Sequence, residues 1–413
     1  MRAHGPLPGD DSLPQLDRLL DPEAIVPLLQ RCLPAGDHPR AIRVHRVRYE
    51  PGVDVTVLFR FKVGGTRQHA TATVSARQNL RAIADDPANR SLAEEAALRS
   101  PAVDALTFDP DLDALVQWLP LDLSLPAMSM TPQRLGESLG EVGIGAGAGE
   151  AKPELLRYEP RRRATLRFGG SVIKAYSRTA TYAVAARAAE AVGGLHAVST
   201  ARSEGLMPDL RLTVQEFLPD ARPVAKERAE EAAGAVLAAL HASDGRDLRR
   251  YTPGDHLARA PSAARFTQAV APELRDPTQR LLAELEDGLP PDADLVVSHG
   301  DFHRGQLLDT NRGVALVDFD KLCQAPAALD PALYAADLVV GRACDEQVAG
   351  ALDRLCAAYG GRPPHLSWNL ATAVLRLSHF PLRRLSPEWP SKVRAMVVAA
   401  QAALRASQAA LRA

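Results

Sequence analysis

Residues 297–308 read VSHGDFHRGQLL, and residues 316–322 read LVDFDKL. Each stretch is a short apolar run that opens into an acid-bearing loop. Leu295-Val296-Val297 leads into His299-Gly300-Asp301, and Val314–Val317 leads into Asp318. Gly300 permits an unusual backbone angle beside the aspartate. A carboxylate held at such a loop tip accepts a proton from an approaching hydroxyl. Gln306 offers a neutral oxygen and Asp318 an anionic one, and both suit a hard cation such as Mg²⁺. A base and two oxygen ligands on neighbouring loops are what metal-assisted phosphoryl transfer requires. Aspartates in turns usually serve only as caps. Here the company of His299, Gln306 and Asp318 favours chemistry. On a helix, the spacing of His299 and His303 would suit a metal. Gly300 and the preceding strand argue against a helix, so His299 reads as a brace for the loop and His303 is left unassigned.

A chain of 413 residues suggests two to three domains of about 100–200 residues each. The net charge is −1. No global field draws nucleic acid or an anionic membrane, and neither is expected as a partner. The cysteines, Cys32, Cys323, Cys344 and Cys356, form no CxxC pair. They read as reduced core residues. The first residues lack the apolar core of a signal peptide. No apolar run approaches the roughly 20 residues that span a bilayer. A cytoplasmic location is expected.

Working outward, Arg48-Tyr49-Glu50-Pro51 recurs as Arg157-Tyr158-Glu159-Pro160, and VQWLPLD at 116–122 is echoed by VQEFLPD at 214–220. Two landmarks in the same order at similar spacing point to a divergent internal repeat. A helix is expected over 14–33, strands over 42–61 and 69–76, a helical stretch over 77–98 and a strand over 113–119. Residues 140–153 read as a Gly/Ala-rich linker. After 223 the texture turns helical, over 224–242, 264–288 and 366–412, interrupted by short strands at 294–298 and 314–319.

HGDFHRGQ followed by LVDFD resembles the catalytic and metal loops of the aminoglycoside phosphotransferase and choline kinase superfamily. Gln306 stands where Asn is commoner, and that variant looks like the maltokinase-like bacterial branch. The resemblance implies an α+β, protein-kinase-like two-lobed fold. It implies ATP as phosphate donor, Mg²⁺ held by Gln306 and Asp318, and Asp301 as the base. Lys174 in Val172-Ile173-Lys174 looks like the lysine that contacts the donor's phosphates. Glu190, sixteen residues on, looks like its carboxylate partner. Glu216 and Leu218, in QEFLP, resemble the hinge whose backbone holds adenine. His241 resembles the histidine that ends the first long helix of the large lobe. The nucleotide-covering loop would fall at EPRRRAT, 159–165, which has three arginines and no glycine. These readings divide the chain into an extra N-terminal, degenerate small-lobe-like unit (1–150), a nucleotide-binding small lobe (151–220) and a helical large lobe (221–413).

The first copy has no lysine from Val63 to Ala151, and Thr73 falls where Lys174 stands in the second. It reads as non-catalytic, serving as a cap, a scaffold or a homodimerisation surface. From Gly361 to Ala413 the single acid is Glu388, against eight Lys or Arg. That balance argues against a polycationic aminoglycoside. It favours a neutral sugar or an anion-bearing hydroxyl compound. Trp368, Trp389, His379 and Arg383 are candidates for a pocket, and the two tryptophans serve equally as core anchors. The reading is an ATP-dependent small-molecule kinase. The alternative is a nucleotide-binding pseudokinase that works as a partner-binding module.

Overall fold

The computed structural model describes residues 9–144, 152–245, 247–292, 294–341, 345–384, 386 and 388–412. Half of the expected linker (145–151) and Cys344 lie outside the described residues. The other three cysteines are free and buried. The chain forms two compact units. Unit 1 is Met1–Tyr182, Glu204–Val214 and Leu382–Trp389; unit 2 is Ala183–Ser203, Gln215–Pro381 and Pro390–Ala413.

The chain opens with α1 (Leu16–Leu19) and α2 (Pro22–Arg31). The single helix expected over 14–33 breaks because Asp21 caps α2 and Pro22 occupies its first position. Then come β1 (Arg40–Glu50), β2 (Asp54–Val63) and β3 (Thr66–Ser75). The helical stretch expected after them splits into α3 (Leu80–Asp85) and α4 (Pro87–Ala97), because Asp86 caps the second of them. β4 (Leu106–Asp109), which periodicity did not reveal, precedes β5 (Ala114–Trp118). α5 (Pro132–Glu141) leads to β6 (Glu154–Glu159), β7 (Arg163–Phe168), β8 (Ser171–Tyr176) and α6 (Thr179–Val192). β9 (Ser199–Thr200), β10 (Ser203–Met207) and β11 (Leu212–Glu216) follow.

The first sheet runs β1-β2-β3-β5-β4 and the second β6-β7-β8-β11-β10, the same order strand for strand. The repeat is therefore a repeat of topology as well as of words. It also begins further upstream than RYEP. Asp10-Asp11-Ser12-Leu13-Pro14 is matched by Asp122-Leu123-Ser124-Leu125-Pro126. Asp10 Oδ2 accepts from the Tyr49 hydroxyl and the Gly52 N–H, both at 2.8 Å. Asp122 Oδ2 accepts from the Tyr158 hydroxyl and the Arg161 N–H, again both at 2.8 Å. In each copy the serine N–H returns to the other carboxylate oxygen, at 3.0 Å for Ser12 and 2.8 Å for Ser124.

The register extends the match to the lysine position. Thr56 faces Thr73 across β2 and β3, and Thr165 faces Lys174 across β7 and β8. Thr73 is thus the counterpart of Lys174. The first copy closes the position with a buried Thr56–Thr73 hydroxyl contact of 3.0 Å. The turns diverge in one residue. Gly52 has φ +69°, and its counterpart Arg161 has φ +58°, a conformation uncommon for a non-glycine residue. The Arg161 guanidinium reaches the first copy, donating to Asp54 and to Gln78, each at 3.2 Å.

After β11, unit 2 continues with β12 (Arg222–Pro223), α7 (Ala229–His241), α8 (Pro253–Leu257), α9 (Ala260–Val270) and α10 (Arg275–Asp287). The break between α9 and α10 falls at Pro272, inside the helix expected over 264–288. β13 (Leu295–Ser298), β14 (Leu307–Thr310), β15 (Gly313–Leu316) and β16 (Cys323–Pro326) carry the acidic loops. α11 (Leu329–Val340), α12 (Asp345–Tyr359), α13 (Leu366–Leu377), α14 (Phe380–Arg383) and α15 (Trp389–Arg412) complete the chain. A Cβ at Gly234 on α7 would lie 2.3 Å from the Leu355 carbonyl of α12, so that close helix contact requires glycine. Leu237 and Leu240 of α7, Phe302 and Leu316 from the acidic loops, and Leu352 and Leu355 of α12 share one buried core. Apolar burial therefore fixes the loops from below. Trp368 is buried and donates to the Leu285 carbonyl at 3.0 Å. It anchors the core. The class is mixed helix and sheet, a sheet-rich unit with a helical one carrying short strand pairs.

Candidate active site

Strand β13 delivers the chain to His299 and Gly300. Gly300 has φ +75°, and a Cβ there would meet the Lys321 carbonyl at 2.4 Å. Only glycine passes. The turn is then pinned from beneath by Asp330, fully buried at the start of α11. Its carboxylate accepts from the His299 N–H at 2.7 Å and the Gly300 N–H at 2.9 Å. His241, at the end of α7, brings Nε2 to 3.6 Å from Asp330 and Nδ1 to 2.9 Å from the Tyr359 hydroxyl. Asp330 thus orders the loop.

His299 is buried, and its Nε2 donates to the Val317 carbonyl at 3.1 Å. His303 is extended at φ −156°, and its Nδ1 accepts from the Gly305 N–H at 3.0 Å. The two histidines therefore brace separate turns of one loop and form no helical ligand pair. Gln306 ends that loop, 2% exposed. Its Oε1 accepts from the His303 N–H at 2.9 Å, and its Nε2 is buried with no hydrogen-bond partner among the described residues. The Val317 N–H donates to the Gln306 carbonyl at 3.1 Å. That bond and the β14–β15 pairing set Gln306 beside Asp318. Asp318 itself sits at φ +70°, an uncommon backbone state for a residue with a side chain.

Asp301 stands at the loop tip. Lys321, two residues past Asp318–Phe319, donates to its Oδ1 at 2.7 Å. Burial pushes the Asp301 carboxyl up, but the charge and hydrogen bond of Lys321, with His299 beside it, together outweigh it, and the net shift is downward. The Asp301 carboxylate is therefore ionised at neutral pH. Lys321 was not singled out in the sequence, although it is the residue that follows the DFD motif. Replacing Lys321 by Met leaves burial unopposed by that ammonium. The acid limb of a pH–rate profile is then expected to move to higher pH, because a carboxyl with a raised pKa loses its charge sooner as pH falls. A limb at the same pH in both proteins would remove Lys321 from this role.

Unit 2 thus brings Asp301, Gln306 and Asp318 together on adjoining turns. Lys174 is a buried residue of β8 in unit 1, and Glu190 is an exposed residue of α6 in unit 2. Their pairing belongs to the proposal below. In the stretch 215–219, the Glu216 N–H donates to the Arg202 carbonyl at 2.9 Å and the Leu218 carbonyl accepts from the Ala221 N–H at 3.3 Å. The Glu216 side chain accepts from the Arg202 N–H at 3.0 Å and lies 3.5 Å from the Arg312 guanidinium. In the arginine turn, Arg161 is committed to the first copy, while Arg162 and Arg163 lie 3.8 and 4.0 Å from Glu159.

Residues 184–368 match the model of the phosphotransferase enzyme family. Solved structures resemble the chain more distantly. A choline/ethanolamine kinase family protein from Mesorhizobium loti is 17% identical over 67% of this chain and 99% of its own, with a TM-score of 0.47. An aminoglycoside phosphotransferase from Streptomyces rimosus is 18% identical over 59% and 94%, at 0.42. A macrolide 2'-phosphotransferase from Brachybacterium faecium is 21% identical over 66% and 98%, at 0.43. No curated protein sequence matches the chain. No helix among the described residues is long and apolar enough to cross a membrane.

Proposed function

We propose, for a chain whose residues 184–368 carry the pattern of the phosphotransferase enzyme family, that it moves the γ-phosphate of ATP to a hydroxyl of a small polar molecule. The observation that carries this reading is the loop 299–306. Asp301 is presented at its tip, Asp330 pins its backbone, and Gln306 is brought beside Asp318. In this reading Asp301 orients the acceptor hydroxyl and takes its proton. Gln306 Oε1, which keeps a second lone pair, and the Asp318 carboxylate would hold Mg²⁺. Two protein oxygens, with phosphate and water completing the shell, suit that ion. The orphaned Gln306 Nε2 fits the same setting, since a buried N–H expects an oxygen acceptor. When bound, the ion neutralises charge on the transferring phosphates. Lys174, with Glu190 as its candidate partner, would steady the phosphates, and the Glu216 carbonyl and Leu218 amide would take the adenine edge.

The first copy supports a non-catalytic role for residues 1–150, because the Thr56–Thr73 contact fills the lysine position. Whether that copy serves as a dimerisation surface is read by sedimentation of the intact protein. The pseudokinase alternative is tested together with the main reading. The protein is incubated with ATP, Mg²⁺ and a panel of sugars, amino alcohols, hydroxy acids and antibiotics, and products are followed by mass shift. Transfer to a member of the panel is expected. ATP binding without transfer to any of them would favour the pseudokinase. Cytoplasmic placement is part of the same proposal, since ATP is abundant there.

A further inference from the structure

A half-buried cation in unit 2, Arg376 on α13, has no anionic partner among the described residues. Its Nη1 lies 2.6 Å from His256 Nδ1 and 3.4 Å from the Tyr251 hydroxyl, and both partners are neutral. His256 is itself buried. Burial and the Arg376 charge hold its pKa well below the usual imidazole range. It therefore accepts from the guanidinium and cannot balance it. Two more cations face the same ring: the Arg259 guanidinium carbon lies 5.3 Å from the Tyr251 ring centre and that of Arg249 lies 5.9 Å away. Arg376 also feels the charge of Asp301. That carboxylate is already bound to Lys321 at 2.7 Å, so it does not serve as the missing partner.

Desolvating a guanidinium without an anion is costly, and such groups are normally paired. A planar guanidinium held by neutral acceptors at one edge keeps its remaining N–H donors for a forked oxyanion. We propose that the acceptor carries an anionic group, a carboxylate or a phosphate, which Arg376 receives while Arg259 and Arg249 draw it in, with its hydroxyl directed to Asp301. The inference rests on the phosphotransferase reading and sharpens its acceptor class. It runs against choline-like or aminoglycoside-like cations, which three arginines would repel.

Two measurements test it, one without turnover. In Mg²⁺-free buffer, inorganic phosphate is expected to raise the melting temperature of the wild type but not of Arg376→Gln, with Arg376→Lys in between. The unliganded Arg376→Gln protein should melt no lower than the wild type, because it loses an uncompensated charge. A structural role for Arg376 would instead lower its melting point with or without phosphate, and that result would overturn the proposal. In the second measurement, matched hydroxy acids, phosphorylated polyols and their neutral esters or parent polyols are offered with ATP and Mg²⁺. Transfer to either anionic set is expected, and the comparison tells carboxylate from phosphate. Arg376→Gln should raise KM for the preferred acceptor by about 10–100-fold. Preference for neutral or cationic acceptors would overturn the inference while leaving the kinase reading intact. So would an Arg376→Gln defect confined to nucleotide affinity. Absence of all transfer would remove the kinase reading, and the phosphate melting shift would still decide the anion site.

Discussion

Asp301→Asn is expected to lower kcat by about 10²–10⁴-fold, the usual contribution of a positioned general base, with nucleotide affinity unchanged. The amide keeps the shape of the carboxylate, and its oxygen still accepts from Lys321, now at 2.7 Å from Asp301 Oδ1. The ability to take a proton is what disappears. Stability should change little, because the Asp301 and Lys321 side chains are 39% and 46% exposed and such pairs contribute weakly. The pH profile gives a second readout. In the wild type Lys321 depresses the Asp301 pKa against the upward push of burial. The base stays charged until pH falls through that depressed value, so activity persists into acid. In Asp301→Asn the residual rate should lack this limb altogether. Steady-state kinetics across pH, with the acceptor found by mass shift, checks both statements. A variant that retains full kcat would exclude Asp301 as the base.

Asp330→Ala is expected to damage stability and rate together. The mutation strips the acceptor from two N–H groups, that of the buried His299 and that of the half-buried Gly300. Each orphaned donor costs about 1–3 kcal/mol, so the loop should lose roughly 2–6 kcal/mol of support. A melting temperature lower by on the order of 10 °C follows for a unit of this size. His241, at 3.6 Å from the same carboxylate, loses its neighbour as well. The loop tip would then wander, and a displacement near 1 Å at a reacting group costs about 10²-fold in rate. Calorimetry and single-turnover transfer separate the two effects. An unchanged melting point would mean that the loop is held by something other than Asp330.

The acidic loops were legible in the sequence because their parts are local. Asp301 and Gln306 share one turn, and Asp318 leaves the next strand of the same hairpin, so short-range spacing encodes their approach. Gly300 was legible for a similar reason, since the positive φ is written into the residue type. The repeat was half legible. RYEP announced itself as a tetrapeptide, whereas the Asp10 and Asp122 anchors stand far in sequence from the tyrosines they hold, and only the fold shows that they do the same task. Helix ends at Asp21-Pro22 and Asp86-Pro87 were missed because apolar periodicity runs across a cap without registering it. β4 was missed because a four-residue edge strand offers too little alternation. Arg376, Tyr251 and His256 come from separate helices and a loop, and nothing in their neighbouring residues advertises that they meet. Trp368 looked suited to a pocket because an indole serves a ligand or a core equally well. Its N–H bond to Leu285 decides for the core.

The chain's path has one practical consequence. Each compact unit is assembled from three stretches, and the polypeptide passes between them five times, from 182 to 183, 203 to 204, 214 to 215, 381 to 382 and 389 to 390. No single cut releases either half intact. A stop codon after Pro381 would take Leu382–Trp389 from one and the final helix from the other. Dissection by truncation should therefore yield insoluble pieces where independent modules would give two working parts. Co-expression of fragments, or circular permutation at an exposed turn, is the gentler route to taking this molecule apart.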